Sequence, residues 1–192
     1  MTLPTVACVV EGHGEVQAAP ILIRRIAVEL LGVPIVATPG HRVPRGTMLK
    51  RPVELVRAVE LQSRKAVGGG VLVLLDSDDD DPMMIEQGLG RELSGFGASV
   101  RVACAVREYE AWFLAGLPSL IGKYGIASPV TSVDDVESIR DCKGAVGRAM
   151  NGKYSEVRHQ PAMTAQVDLG VVRENSTSFA RLVARVGELL AP

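Results

Sequence analysis

The stretch GGGVLVLLDSDDDDP, residues 68–82, decides the fold. Five consecutive apolar residues, Val71, Leu72, Val73, Leu74 and Leu75, stand between a glycine triplet and a run of aspartates. A strand with one wet face alternates apolar and polar side chains, whereas one covered on both faces reads as a continuous apolar run. VLVLL therefore predicts a central strand of a parallel sheet, and Asp76 opens the loop at its carboxyl end.

Outward from that strand, TVACVV (residues 5–10) is a second apolar, β-branched run, halted by Glu11-Gly12-His13-Gly14. PIVAT (34–38) and SVRVACAV (99–106) are expected as two further strands. Helical spacing fills the intervals. In residues 15–31, Ile21, Leu22, Ile26, Leu30 and Leu31 fall on one side and Arg24, Arg25 and Glu29 on the other, with Pro20 marking a start or a kink. Residues 52–67 and 83–93 read as two more helices, and PGHRVPRGTM (39–48) as a loop punctuated by glycine and proline. Strand and helix alternate at least three times, the pattern of a doubly wound α/β fold with a mostly parallel, Rossmann-like sheet flanked by helices.

Beyond Val106 the pattern changes. Residues 108–114 (EYEAWFL) form a short helix candidate with the only tryptophan, and helices are expected at 136–150 and 177–190, the latter capped by Ser176. Trp112 and Phe113 sit in an apolar helical stretch and are expected in the core. Residues 1–115 thus read as an α/β core and 116–192 as a mainly helical extension packed on it. Together they make one structural domain, as a length of 192 residues allows.

Composition narrows the function classes. Lys and Arg number 21 against 22 Asp and Glu, so a nucleic-acid contact must come from a local basic patch. Arg42, Arg45, Lys50 and Arg51 form the densest one, either a phosphate-holding group or ordinary surface charge. Three scattered cysteines, with no CxxC pair, argue against a disulfide framework or a structural zinc site and for a reducing compartment. No apolar stretch is long enough for a signal-peptide core or a membrane span, so a cytoplasmic protein without a membrane partner is expected. No Walker lysine motif occurs, and EGHGE lacks the third glycine of a dinucleotide fingerprint.

Two of the loops at strand carboxyl ends begin with an acid: Glu11 after TVACVV and Asp76 after VLVLL, with Asp78 two residues on. Ligands of open α/β sheets bind at this edge. Carboxylates gathered there raise one another's proton affinity unless a cation lies between them. Mg²⁺, or Mn²⁺ in its place, suits hard oxygen ligands, and a phosphate or phosphodiester is the natural substrate. The opposing reading makes residues 76–81 a solvated acidic loop or a helix cap. His13, between two glycines, is either a substrate contact or a turn residue; Gly12 and Gly14 permit a tight turn and close backbone approach. Glu108 and Glu110, flanking Tyr109, either complete a second metal position or open a helix.

VVEGHGE (9–15) and LLDSD (74–78) resemble the two motifs of the Toprim domain, the catalytic fold of topoisomerases, primases and overcoming-lysogenization-defect-type nucleases. More narrowly, VEGHGE, RVPRG (42–46), LLDSDDDDP, REYEAWFL (107–114) and STSF (176–179) resemble the small bacterial Toprim-like family known as domain of unknown function 4276, over nearly the whole chain. The resemblance implies a metal-dependent phosphoryl-transfer site. Glu11 would be general acid/base or metal neighbour, and Asp76 and Asp78 metal ligands. Glu15 matches an acid that such nucleases carry four residues after the first glutamate, although a first-turn residue facing the helix dipole is the alternative. It further implies action on DNA or RNA, and a separate ATPase as partner in bacterial defence or genome maintenance. Two rivals stay open: a non-catalytic metal-binding regulatory or interaction module, and a small-molecule phosphatase with Asp76 as nucleophile and Asp78 as acid/base.

Overall fold

A computed structural model of the chain describes residues 2–127 and 135–191. Its sheet is wholly parallel. Thr5–Val10 (β1) and Val71–Asp76 (β4) lie side by side at its centre, and Val100–Ala105 (β5) pairs with the far side of β4. On the other side of β1, Val36–Ala37 (β2) pairs with Thr5 and Val6, and His41–Arg42 (β3) pairs with Val9 and Val10. The register aligns Val10 with Leu74, and Leu74 with Ala103. All three main strands therefore end at one edge, which the loops starting at Glu11, Asp76 and Val106 share.

Every residue of β4 is buried, as its unbroken apolar run demands. Leu72 and Leu74 face one core with Val6, Cys8 and Val10, covered by Glu15–Arg25 (α1) and the C-terminal helices. Val71, Val73 and Leu75 face a second core with Ala7 and Val9. That core is closed by Arg45–Lys50 (α2), Pro52–Ser63 (α3) and Pro82–Glu92 (α4).

Ala111–Ala115 (α5) packs on the first face, and the extension joins it there as Cys142–Ala149 (α6), Glu156–Thr164 (α7), Leu169–Asn175 (α8) and Thr177–Leu190 (α9). In α9, Phe179, Leu182, Val183, Val186 and Leu189 are buried at helical spacing. Each such side chain contributes on the order of 1.5–3 kcal/mol when removed from water. Ser176 caps this helix, its Oγ accepting from the Phe179 amide at 3.1 Å. Trp112 and Phe113 are core residues; the Trp112 indole donates to Ser178 Oγ at 3.0 Å.

Four local expectations are corrected. Residues 39–48 are not a loop throughout, since they carry β3 and most of α2. The second strand candidate, 34–38, shrinks to β2, two residues at the sheet margin. The first helix is α-helical only to Arg25 and continues as a π-helical turn over Ile26–Leu30, with Pro20 inside its first part. Residues 136–150 divide into a 3₁₀ turn, Val136–Ser138, and α6. A π or 3₁₀ turn repeats apolar residues almost as an α-helix does, so spacing alone does not separate them.

Candidate functional site

Three strand ends build the site. From β1, Glu11 sends its Oε2 to accept the Asp76 amide at 3.2 Å, while the Glu11 amide donates to Glu15 Oε2 at 3.1 Å. From β4, Asp76 is buried, and its Oδ1 accepts the Tyr109 amide at 2.8 Å. From β5, Glu110 is fully buried, and its Oε1 accepts the Tyr154 hydroxyl at 2.8 Å. Glu11, Glu15, Asp76 and Glu110 line one cleft of about 220 Å³, with Gly12, His13, Arg42 and Arg45 also on its wall.

Burial raises the proton affinity of all four acids. It is the first cause for each, and the charges of neighbouring carboxylates add to it for Asp76, Glu15 and Glu11. Glu15 is pushed to about 8 and Glu110 to about 7, both well above an ordinary carboxyl. Glu11 is raised less, because the Asp76 amide and the Arg45 and Lys143 charges favour its ionised form. Two acceptor oxygens are buried without a hydrogen-bond partner, Oε2 of Glu110 and Oε1 of Gln160, and both residues line the cleft.

The extension supplies part of this wall. Lys143, on α6, enters the cleft and ion-pairs with Glu156 at 2.8 Å. Burial lowers its proton affinity, but the Glu156 hydrogen bond and the Glu110 and Asp76 charges raise it further, keeping it an ammonium. Gln160 and Glu156 of α7 come close because residue 14 is glycine: a Cβ there would stand 2.2 Å from Gln160 Oε1 and 2.8 Å from the Glu156 carbonyl oxygen. No feature near the acidic motifs announced Lys143, Tyr154, Glu156 or Gln160. They lie more than thirty residues downstream of Glu110 and carry no motif spacing.

The aspartate run divides its labour. Asp81 Oδ1 caps α4, accepting from the Met83 and Met84 amides. Asp80 pairs with Arg45, and Asp79 with Arg107. Arg45 Nε also donates to the Asp76 carbonyl at 3.0 Å, and its Nη2 to the Ser77 carbonyl at 3.0 Å, so one guanidinium grips the loop.

Asp78 sits at the rim rather than in the cleft. Its side chain is 58% exposed and faces Arg45 Nε at 3.4 Å, although its charge still acts on Glu11. Glu108 turns away, its Oε2 accepting the Lys143 amide at 2.8 Å and so tying down the start of α6. Lys50, exposed on α2, is outside the cleft lining. Among the described residues no group of three or more His, Cys, Asp or Glu side chains is arranged to hold a metal ion. Also among them, no helix is long and apolar enough to cross a membrane.

The fold and site together define an α/β chain whose acidic cleft opens at the carboxyl ends of parallel strands, with a helical extension closing one wall. A family model described as "Domain of unknown function (DUF4276)" matches residues 10–187, and the chain belongs to that family. No curated protein and no solved structure matches it.

Proposed function

We propose that this protein is a Mg²⁺-dependent phosphoryl-transfer enzyme acting on nucleic-acid phosphodiesters, a nuclease in its simplest form. The observation that carries the reading is the convergence of Glu11, Glu15, Asp76 and Glu110 in one cleft with raised proton affinities. Such a set is relieved at neutral pH by protons or by a cation. The buried, unpartnered oxygens of Glu110 and Gln160 are hard donors of the type Mg²⁺ takes. Mg²⁺ keeps several waters and needs as few as one or two direct carboxylates, a demand this set meets without three direct ligands. The likeness of VVEGHGE and LLDSD to the Toprim motifs supports the same chemistry.

Asp76 and Glu11 are the residues that would hold the ion, with Asp78 at the rim and Glu15 and Glu110 also lining the cleft. An Mg²⁺ or Mn²⁺ ion held there would supply the charge that neutralises a phosphate oxygen and lowers the pKa of a water. Glu11, half-buried with a raised affinity, takes or returns a proton. Arg45, and Lys143 inside the cleft, place positive charge for the phosphodiester. A cytosolic setting fits three buried, unpaired cysteines, and a separate ATPase partner in bacterial defence follows from the family resemblance.

A non-catalytic module is the second reading, favoured by Lys143, whose ammonium already stands among the acids as a counter-charge. A phosphatase ranks behind both, because the Asp76 carboxyl is buried and its Oδ1 is occupied by the Tyr109 amide.

Calorimetric titration of Mn²⁺ into the wild type and into Asp76→Asn/Asp78→Asn, followed by cleavage assays on DNA and RNA, tests the proposal. Binding and cleavage present in the wild type and absent from the variant are expected. Metal binding with no cleavage of any nucleic acid moves the assignment to the binding module, and cleavage retained by Asp76→Ala overturns the role of Asp76.

A further inference from the structure

Outside the cleft, an open groove of about 800 Å³ lies between α6 and α7. It is walled by Lys143, Arg148 and Lys153, with Tyr154 and Glu156 on the side facing the cleft. Lys143 and Glu156 line both hollows, so the groove and the acidic cleft adjoin across this ion pair. Tyr154 joins them as well, since it borders the groove while its hydroxyl holds Glu110.

The charge of this segment runs against that of the chain. Residues 140–158 carry Arg140, Lys143, Arg148, Lys153 and Arg158 against Asp141 and Glu156, an excess of three in a protein whose formal net charge is -1. The neutralising contacts here are exposed. Arg148 meets Asp141 at 3.2 Å with both side chains about two-thirds exposed, and Lys153 has no carboxylate partner among the described residues. Exposed pairs of this kind are weak and yield to a competing anion. Gly152, beside Lys153 on the lining, has only the Met150 carbonyl near its missing side chain, which lets a phosphate approach the backbone there.

We propose that this groove is the track along which a nucleic-acid backbone reaches the carboxylate cleft. The inference rests on the nucleic-acid reading above and adds the surface that binds the polymer. Lys143 stands at the junction, where a phosphate leaving the groove enters the acidic site, and Arg148 and Lys153 hold phosphates further out. The contacts are to phosphates, so binding is salt-dependent and indifferent to base sequence.

Fluorescence anisotropy with labelled oligonucleotides of about 20 residues, single-stranded and duplex, DNA and RNA, tests this across about 50–200 mM salt in EDTA. Reversing Arg148 and Lys153 together (Arg148→Glu/Lys153→Glu) is expected to weaken binding at least about tenfold and to lower the salt slope by roughly two. Mn²⁺ titration of that variant is expected to match the wild type, because neither residue lines the cleft. Should the reversal impair folding, Arg148→Gln/Lys153→Gln gives a smaller loss in the same direction. A wild type that binds, with affinity and slope unchanged in either variant, overturns the groove and leaves the nucleic-acid reading standing. A wild type that binds none of the four polymers at low salt overturns both, and the Mn²⁺ titration still reports on the cation site alone.

Discussion

Asp78 and Arg107 face each other across the ends of β4 and β5, both with left-handed backbones (φ 50° and 64°). The Asp78 amide donates to the Arg107 carbonyl at 3.0 Å, and Arg107 Nη1 donates to the Asp78 carbonyl at 3.1 Å. The pair continues the β4–β5 ladder beyond its last regular residues. It bends the aspartate run outward just after Asp76, which is why Asp76 points into the cleft and Asp78 lies at its rim.

That geometry separates two roles of Asp78. Asparagine and glycine tolerate the left-handed region, whereas alanine pays about 1–2 kcal/mol to enter it. Asp78→Asn and Asp78→Gly are therefore expected to unfold in denaturant within about 0.5 kcal/mol of the wild type, because the exposed Arg45 contact adds little. Asp78→Ala is expected to lose about 1–2 kcal/mol. If all three weaken Mn²⁺ binding alike, the carboxylate and not the backbone serves the site; equal stability of all three would remove the backbone argument.

Stability of the metal-free protein is expected to fall as pH rises. Glu15 at about 8 and Glu110 at about 7 both lie above their ordinary value of 4.5. A raised carboxyl pKa means the folded state binds the proton more tightly than the unfolded chain. Its stabilising contribution is complete below about pH 4.5 and is lost as pH climbs through the folded value. Thermal melts in EDTA should show the midpoint falling between about pH 5 and about pH 8, with Glu15→Gln flattening the upper part. Millimolar Mn²⁺ at the alkaline end should restore the midpoint through preferential binding to the folded state. A level profile would mean the acids are less crowded than their burial implies.

Gly14→Ala is expected to cost about 1–3 kcal/mol, because the new methyl overlaps Gln160 Oε1 and the Glu156 carbonyl. Adding Gln160→Ala should recover only part of that, since the backbone carbonyl remains. Denaturation midpoints of the single and double variants measure it, and full recovery would show that α7 moves freely.

Arg45→Lys is expected to behave like Arg45→Ala in Mn²⁺ titration, each losing about tenfold or more in affinity. A lysine retains the charge but not the planar fork that reaches the Asp76 and Ser77 carbonyls and the Asp80 carboxylate together. Wild-type affinity in Arg45→Lys would reduce Arg45 to a point charge.

Much of the fold is legible in local pattern. VLVLL and TVACVV announce buried parallel strands because a strand covered on both faces has no polar positions to alternate, and residues 177–190 announce α9 through helical spacing and the Ser176 cap. Glu11 and Asp76 stand out because an acid ending an apolar run marks the carboxyl end of a strand, the edge at which ligands of such sheets bind. Tertiary structure decided the rest. The two-residue strands β2 and β3 owe their order to pairing with β1, so nothing in PIVAT or PGHRVPRGTM marks their limits. Glu110, one of two acids that the sequence left equivalent, enters the cleft while Glu108 turns to α6. Gln160 reaches the first loop from more than a hundred residues away because α7 packs against Gly14, and Lys143 of α6 enters the same cleft paired with Glu156 of α7. A contact across such a separation depends on how two cores close around one sheet, and no local periodicity encodes it.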